Sequence, residues 1–278
     1  MNETVQDGLR RLTRELAQGG VEDAAREARL ILAHVLGVQT GRMTLIAPDA
    51  LDGHDLGAAL ALAQRRAAGE PMAHLLGYRE FHGRRFAVDA RVLDPRPETE
   101  ILVNCALDVP FGRVLDLGTG SGCILLSLLA QRPEATGVGC DLSADAVQVA
   151  RANAASLGLA ARAEVIVSDW FEAVQGRFDV IVSNPPYIAA DEMPDLAREL
   201  QHEPRMALTD EADGLSAYGQ ILAGAGDHLV PGGWLLLEIG WQQGRAVADL
   251  VASRGFAEVS VQPDLDGRDR VIKAIWPG

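Results

Sequence analysis

The sequence predicts an α/β protein in which a small helical bundle precedes a mostly parallel β-sheet covered by helices. Apolar residues keep a helical spacing in the first quarter of the chain, and strand-like and helix-like runs alternate after Gly112. At 278 residues the chain is long enough for two domains. We therefore expect a helical domain over residues 1–75, a β-hairpin linker over 76–90 and an α/β domain over 91–278.

The N-terminal region is predicted to form three or more helices and then a hairpin. Val5 and Leu9 begin a helical repeat of apolar residues that continues, with glycine interruptions, to about Ala68. Between Gly77 and Val88 the spacing becomes strand-like on either side of a His-Gly pair, which is typical of a tight turn. The hairpin therefore separates the bundle from the sheet.

The remainder of the chain alternates between predicted strands and helices. Repeated strand–helix units favour a mostly parallel sheet with helices on both faces. Strands are predicted at Arg113–Leu117, Thr136–Cys140, near Glu164, near Phe178, at Trp234–Ile239, and near Ala257 and Val271.

Composition and charge narrow the class of partner. The chain is 48% hydrophobic, which suffices for a full core, and its formal net charge of −14 disfavours extended contact with nucleic-acid phosphates. Its start is polar and it has no run of about 18 apolar residues, so we expect a cytoplasmic protein without a membrane segment. The three cysteines do not form a Cys-x-x-Cys pair and are interpreted as small buried residues. The sequence contains no cluster typical of a metal site.

A glycine-rich turn follows the first strand of the α/β region. Gly118, Gly120 and Gly122 follow Asp116 in an Asp-x-Gly-x-Gly-x-Gly pattern, which lets bare backbone approach a ligand. The same pattern fits an ordinary tight turn, and its spacing departs from the Gly-x-Gly-x-x-Gly typical of nicotinamide sites. Asp141 ends the next strand about 20 residues on, where a carboxylate can accept both hydroxyls of a ribose. These residues together predict a nucleotide-type ligand.

Further polar groups follow the next two strands. Asp169 offers an acceptor for an adenine amine and Trp170 an aromatic edge near the base, although Trp170 also fits a simple core position. Asn184, Pro185, Pro186 and Tyr187 open the loop after the strand at Phe178. The Asn184 side-chain oxygen and the Pro185 carbonyl can accept both hydrogens of a flat NH2 group while Tyr187 lies against its face. The loop therefore predicts a site for a conjugated amine.

The successive strand ends resemble those of class I methyltransferases that use S-adenosylmethionine. More narrowly, the chain resembles the protein-glutamine N5-methyltransferases of peptide-chain release factors, the HemK/PrmC type. The stretches that carry this resemblance are PMAHLLGYREFHG (71–83), VLDPRPETE (92–100), VLDLGTGSG (114–122), SNPPYI (183–188), EPRMAL (203–208), LEIGWQQG (237–244) and DLDGRDRV (264–271). The resemblance implies a Rossmann-like fold with a seven-stranded sheet, which follows an N-terminal helical domain that docks the substrate.

The resemblance also implies an activity and roles for particular residues. The expected reaction moves a methyl group to the side-chain amide of the glutamine in the Gly-Gly-Gln motif of a class 1 release factor, leaves S-adenosylhomocysteine and needs no metal. Direct nucleic-acid binding is not expected, and a monomer suffices. Carried over by position, the resemblance implies that the donor is bound by Gly118, Thr119, Gly120, Ser121, Gly122, Asp141, Asp169, Trp170 and Asn184. It implies that the glutamine is held by Asn184, Pro185, Pro186 and Tyr187. The loop that closes over the donor is expected to be Arg96, Pro97, Glu98 and Thr99.

Several alternatives remain at this stage. An adenine or guanine amine in DNA or RNA presents the same flat NH2 group, although such a substrate needs a phosphate-binding surface. A methyltransferase of small metabolites and a catalytically silent binding module are further possibilities. The loop at Arg96 also fits a simple cap for the following helix, with Glu98 or Thr99 serving its free N–H groups.

Overall fold

The structure is a computed structural model that describes residues 3–278, and its chain divides into two compact units. The first unit runs up to Gly77 and also includes Ala197–His202. The second unit comprises Tyr78–Leu196 and Glu203–Gly278. A short segment from the middle of the chain is therefore part of the N-terminal unit.

The first unit is a helical bundle. Its helices are α1 (Val5–Gln18), α2 (Ala24–Val35), α3 (Gly53–Ala67) and α4 (Met72–Leu76), with a 3-10 turn at Thr40–Thr44. The predicted apolar repeat forms its core, in which Leu12, Leu16 and Ile31 are fully buried. Thr4 begins α1 with a capping box, since its Oγ1 accepts a hydrogen bond from the Asp7 N–H at 3.2 Å while the Asp7 carboxylate accepts from the Thr4 N–H.

A buried arginine holds the mid-chain segment within this unit. Arg66, near the end of α3, is 8% exposed and donates from Nε to Glu27 Oε2 at 2.7 Å. Its Nη2 donates to Oε1 of Glu199, which belongs to the inserted segment. Because a guanidinium this buried requires partners, Glu199 is part of the charge balance of the bundle.

The second unit contains a hairpin and a seven-stranded sheet, which confirms the predicted fold class. The hairpin pairs β1 (Tyr78–Phe81) with β2 (Arg84–Ala87), and His82 and Gly83 both have positive φ in its turn. The sheet has the order β5-β4-β3-β6-β7-β9-β8, in which only the pairs made by β9 are antiparallel. Its strands are β3 (Arg113–Leu117), β4 (Thr136–Asp141), β5 (Ala163–Val167), β6 (Phe178–Ser183), β7 (Leu229–Glu238), β8 (Ala257–Pro263) and β9 (Asp269–Ile275).

Each face of the sheet carries its own apolar core. Val114 packs in a cluster with α5 and α6, whereas its neighbour Leu115 packs in a cluster with α8 and α9, as the alternation of side chains along a strand requires. The helices are α5 (Thr99–Leu107), α6 (Cys123–Gln131), α7 (Ala144–Ser156), α8 (Ser216–His228) and α9 (Gly244–Ser253).

Asn153 joins three parts of the second unit. This α7 residue is 1% exposed, and its Nδ2 donates to the carbonyls of Ala87 at 3.0 Å and Ser121 at 2.9 Å, while its Oδ1 accepts from the Ala87 N–H at 2.8 Å. One side chain thus connects the end of the hairpin and the glycine-rich turn to α7.

Replacing this side chain should destabilise the protein without a change of fold. Asn153→Ala leaves three backbone groups without their partners, so we expect the free energy of unfolding to fall by about 2 kcal/mol or more. Urea unfolding followed by circular dichroism measures this loss. Asn104→Ala, which removes the same group from an exposed position, is the control, and equal losses in the two variants would contradict the prediction.

Candidate active site at the carboxyl edge of the sheet

A cavity of about 470 Å³ lies where four parallel strands end. Gly118 and Gly120 line it after β3, Asp141 at the end of β4, Asp169 and Trp170 after β5, and Asn184 and Pro186 after β6. The carboxyl edge of a parallel sheet is where such folds bind ligands. The structure thus brings together residues that lie up to 68 positions apart and that were predicted for the donor and the acceptor.

The glycine-rich turn is open toward this cavity. Gly118 and Gly120 have φ of +70° and +55°, which strongly favours glycine, and a Cβ at either position would meet no protein atom within 4 Å. Gly122 differs, since a Cβ there would lie 3.3 Å from the Ala150 Cβ of α7. Two of the three glycines therefore face open space, and the third lets two helices approach.

Thr119, Ser121 and Gly122 are not among the residues that line the cavity. Thr119 and Ser121 are buried, and Thr119 Oγ1 donates to Asp116 Oδ2 at 2.7 Å. These residues belong to the turn but do not face the cavity, and their contact with the donor remains a prediction.

Asp116 anchors the glycine-rich turn through hydrogen bonds to its carboxylate. It is fully buried, and its Oδ2 also accepts from the Leu125 N–H of α6 at 3.2 Å. Burial raises the pKa of this carboxyl to about 7, while the hydrogen bonds from Thr119 and Leu125 lower it. One carboxyl group therefore connects β3, the turn and the first helix after it.

Asp141 accepts two backbone hydrogen bonds at the mouth of β4. Its Oδ2 accepts from the Gly120 N–H and its Oδ1 from the Ser143 N–H, both at 2.9 Å. Ser143 provides the cap of α7 by accepting from the Ala146 N–H. Burial raises the pKa of Asp141, and the two N–H groups oppose that shift. Because each carboxylate oxygen has further acceptor capacity, Asp141 can still accept hydroxyl hydrogens from a ligand.

Trp170 lies in the cavity wall with a strained backbone. Its φ is +43°, a region that non-glycine residues rarely adopt, and its carbonyl accepts from Ser168 Oγ at 2.9 Å and from Cys140 Sγ at 3.3 Å. The indole Nε1 donates to Gln220 Oε1 at 2.5 Å. The ring is therefore held at a fixed orientation beside exposed Asp169.

Asn184 is oriented by the helix that follows the Arg96 loop. Its Nδ2 donates to Thr99 Oγ1 at 3.3 Å, and preceding Ser183 donates from Oγ to the Leu117 carbonyl at 2.7 Å. Asn184 lines the cavity with Pro186, whereas Pro185 is buried and is not in that lining. An amide that donates to Thr99 keeps its oxygen for another partner.

Tyr187 is held through its backbone by a glutamine that the sequence did not single out. Its carbonyl accepts from Gln243 Nε2 at 3.0 Å, and Gly214, with φ of +75°, has no room for a Cβ because that atom would lie 2.4 Å from the same carbonyl. Burial, followed by the charge of Glu238, raises the pKa of the Tyr187 phenol well above its usual value. The phenol is therefore neutral at physiological pH.

Arg96 is engaged by a buried carboxylate. Its Nη2 donates to Glu203 Oε1 at 2.6 Å and Oε2 at 2.7 Å. Burial raises the pKa of Glu203 to about 7, although Arg96 lowers it. None of Arg96, Pro97, Glu98 and Thr99 lines the cavity, and Glu98 makes no side-chain capping bond to α5. Closure of this loop over a donor remains a prediction.

The cavity wall also includes residues that sequence reasoning missed. They include Arg91–Leu93 before the Arg96 loop, Leu142 after Asp141, Pro204–Ala207 after Glu203, and Gln220 on α8. Their apolar members include Leu142 and Met206, which are 57% and 47% exposed. In the sequence, only the family-like stretches VLDPRPETE (92–100) and EPRMAL (203–208) indicated that parts of these wall segments belong to the site.

Two properties concern the described part of the chain, residues 3–278. No group of three or more His, Cys, Asp or Glu side chains there could hold a metal ion. No helix within it combines the length and apolar character needed to cross a membrane.

Comparison with solved structures supports the assignment of the fold. The catalytic domain of hMettl16, solved in complex with a MAT2A 3′UTR hairpin, matches with a TM-score of 0.60 at 16% identity, over 77% of this chain and 81% of that one. A methyltransferase from Pyrococcus furiosus matches with a TM-score of 0.54 at 16% identity, over 69% and 89%. The fold, with its cavity at the carboxyl edge, is that of a class I methyltransferase.

Sequence comparison narrows the class to one family. The model of the methyltransferase small domain matches residues 93–214, and that of the PrmC N-terminal domain matches residues 7–77. A release factor glutamine methyltransferase of Cereibacter sphaeroides is 54% identical over 98% of each chain, and one of Agrobacterium fabrum is 41% identical over 97% of this chain and 96% of its own. The protein belongs to the family of release factor glutamine methyltransferases.

Asp116 should make the stability of the protein depend on pH. Its pKa is 3.8 in the unfolded reference and about 7 in the folded protein, so the folded state binds this proton more tightly. Its stabilising contribution is therefore complete below about pH 4 and is lost as the pH rises through about 7.

Asp116→Asn removes this titration and should flatten the decline of the free energy of unfolding between about pH 4 and about pH 7. Urea unfolding across that range measures the slope. Asp227→Asn, at an exposed position, is the control, and parallel slopes in the Asp116→Asn variant and the unmodified protein would contradict the assignment.

Proposed function

We propose that this protein transfers a methyl group from S-adenosylmethionine to the side-chain amide nitrogen (N5) of the Gly-Gly-Gln glutamine in class 1 peptide-chain release factors. The observation that carries the proposal is the cavity that Gly118, Asp141 and Asn184 line together. It occurs in a chain that is 54% identical, over 98% of its length, to a protein named for that reaction.

The lining of the cavity fits the proposed donor. At Gly118 and Gly120 the backbone is bare and a side chain would enter open space, so a ligand can approach the turn closely. Asp141 has acceptor capacity for the two ribose hydroxyls, and Leu142, Met206 and Trp170 offer apolar surface for a base. When bound, S-adenosylmethionine supplies an electrophilic methyl group on a sulfonium centre and leaves as S-adenosylhomocysteine.

The Asn184 loop addresses the weakness of an amide as a nucleophile. The lone pair of an amide nitrogen is delocalised into its carbonyl, so the nitrogen reacts only if it is held in a suitable orientation. Asn184, which lines the cavity, accepts one N–H hydrogen through Oδ1. Acceptance of the other hydrogen by the Pro185 carbonyl and packing of Tyr187 against the amide plane remain predictions, since neither residue is in the cavity lining. After transfer the nitrogen loses one proton to these acceptors or to water, so no separate base is required.

This reaction needs one cavity and one substrate loop, and we infer a monomer that acts in the cytoplasm. A direct role for nucleic acid is not part of the proposal. The net charge of −14 favours a protein substrate over a nucleic acid, because the phosphates of a nucleic acid are also negatively charged.

Asp141→Ala should weaken binding of the donor by roughly tenfold or more, the effect of losing a charged hydrogen bond. Isothermal titration calorimetry with S-adenosylmethionine measures the dissociation constant. Asp145→Ala, an exposed change four residues away, is the control. An unchanged dissociation constant in Asp141→Ala would remove the ribose assignment.

The proposed substrate is tested with purified components. Methyl-labelled S-adenosylmethionine is offered with a release factor, with the same factor carrying the glutamine of its Gly-Gly-Gln motif changed to alanine, and with unmethylated DNA and RNA. We expect label on the first alone. Asn184→Ala should abolish this labelling while calorimetry shows retained donor binding, because Asn184 holds the accepting amide. Label on nucleic acid, or equal label on both release factors, would overturn the proposal.

A further inference from the structure

A glutamine at the start of α9 contacts the end of the Asn184 loop, residues 184–187. The backbone of Gln243 is fixed in the turn before the helix, because its N–H donates to the Gly240 carbonyl at 2.8 Å and its carbonyl accepts from the Val247 N–H at 3.0 Å. The side chain is partly buried and does not line the cavity. Its carboxamide is nevertheless engaged on every side.

The Gln243 carboxamide uses its whole hydrogen-bonding capacity. Its Nε2 donates to the carbonyl of Tyr187 at 3.0 Å and to that of Gly214 at 3.2 Å. Its Oε1 accepts from the Gly240 N–H at 3.0 Å and lies 3.3 Å from the hydroxyl of Tyr218. A glutamine amide has two hydrogens to donate and two lone pairs to accept with, so all four are used. A carboxamide rotated by half a turn would turn its oxygen toward two carbonyls, so these partners also fix its orientation.

The other partners of Gln243 lie on parts of the second unit that are held independently of the Asn184 loop. Tyr218 is a fully buried residue of α8, and Gly240 lies just after β7. Gly214 belongs to the loop before α8, where its N–H donates to Asp210 Oδ1 at 3.0 Å. The carboxamide therefore connects the carbonyl of Tyr187 to an ordered frame.

The surroundings of Tyr187 leave it little freedom. A Cβ at Gly214 would lie 2.4 Å from the Tyr187 carbonyl oxygen, which is closer than packed atoms approach one another. A Cβ at Gly240 would lie 3.5 Å from Cδ2 of the Tyr187 ring, so the ring lies beside the same turn that Gln243 accepts from. Both the carbonyl and the ring of Tyr187 thus border the partners of Gln243.

The Asn184 loop is consequently held at both ends. At its start, Ser183 Oγ donates to the Leu117 carbonyl at 2.7 Å, which ties the loop to β3. At its end, Gln243 holds the Tyr187 carbonyl. Asn184 and Pro186, which line the cavity, lie between these two attachments.

We propose that Gln243 is a positioning residue that holds the Tyr187 end of the Asn184 loop in place for methyl transfer. The proposal rests on the proposed function, in which this loop receives the glutamine amide of the release factor. An amide nitrogen reacts only when it is well oriented toward the methyl group, and a displacement of about 1 Å can cost roughly a hundredfold in rate. Release of the Tyr187 carbonyl would permit such a displacement.

The first test removes the amide of Gln243. Gln243→Met keeps a flexible side chain of similar size but cannot donate to the Tyr187 carbonyl. We expect kcat for methylation of a release factor to fall by roughly tenfold to a hundredfold. The donor dissociation constant from calorimetry should stay within about twofold, because neither Gln243 nor Tyr187 lines the cavity. Gln242→Met, the same change at the exposed neighbouring position, is the control and should leave kcat unchanged.

The second test displaces the same carbonyl from the other side. Gly214→Ala places a methyl group against the Tyr187 carbonyl and should lower kcat more than it weakens donor binding. Gly232→Ala, near the start of β7, is the matched control. The two glycines have φ of +75° and +79°, but a Cβ at Gly232 would meet no atom of residues 3–278 within 4 Å. It therefore carries the same backbone strain without the clash and should leave kcat unchanged.

The two changes should not add. Gln243→Met and Gly214→Ala act on one carbonyl, so the double variant should lose little more kcat than the more impaired single variant. Losses of kcat that multiply in full would show that the two residues act separately and would contradict the proposal.

The outcomes separate this role from the proposed function. If the unmodified protein does not label a release factor, the proposed function fails and this role fails with it. If it does label the factor, the positioning role alone is overturned by full kcat in Gln243→Met, or by a loss of donor affinity as large as the loss of kcat. Equal kcat in Gly214→Ala and Gly232→Ala would also overturn it, and that comparison decides alone should Gln243→Met fail to fold.

Discussion

The parallel register of three central strands determines where the groups of the site lie. Leu117 of β3 pairs with Cys140 of β4 on one side and with Ser183 of β6 on the other. The next residues along the three strands are Gly118, Asp141 and Asn184, so the turn, the ribose acceptor and the amine acceptor reach the edge at one level. The hydrogen bond from Ser183 Oγ to the Leu117 carbonyl secures that level. A slip of β4 or β6 by one residue against β3 would turn Asp141 or Asn184 to the other face of the sheet.

Burial of acidic groups around this edge has an energetic cost that the rest of the fold offsets. Asp116, Glu203 and Glu238 each have a pKa of about 7, and in each case burial is the largest cause. A raised carboxyl pKa means that the charged form is destabilised in the folded protein, and each tenfold change in the acid dissociation constant corresponds to about 1.4 kcal/mol. The two apolar cores on either face of the sheet provide the stability that tolerates this arrangement.

The sequence sufficed to predict the fold and the edge at which the site lies, because periodicity and turn residues are local signals. The strands at Arg113–Leu117 and the hairpin turn at His82-Gly83 occur where they were expected. The contacts that orient the site were beyond such reasoning. Arg96 meets Glu203 across 107 positions and Asn184 meets Thr99 across 85, and no spacing rule relates residues that only the folded sheet brings together. The closure of the Arg96 loop over the donor remains a prediction; in the structure the Arg96 guanidinium is bound by Glu203, and Thr99 Oγ1 accepts a hydrogen bond from Asn184.

The discontinuous N-terminal unit has a consequence for how the protein can be divided. Cutting the chain after Gly77 would separate Arg66 from Glu199, since the segment Ala197–His202 would remain with the other fragment. Arg66 would keep its ion pair with Glu27 but lose its second carboxylate partner, and Glu199 would be left without its guanidinium partner. A transplant of the helical bundle onto another methyltransferase would need this six-residue piece as well. The bundle and the catalytic domain are thus each compact, but the bundle is not one continuous stretch of chain that can be transferred by a simple fusion.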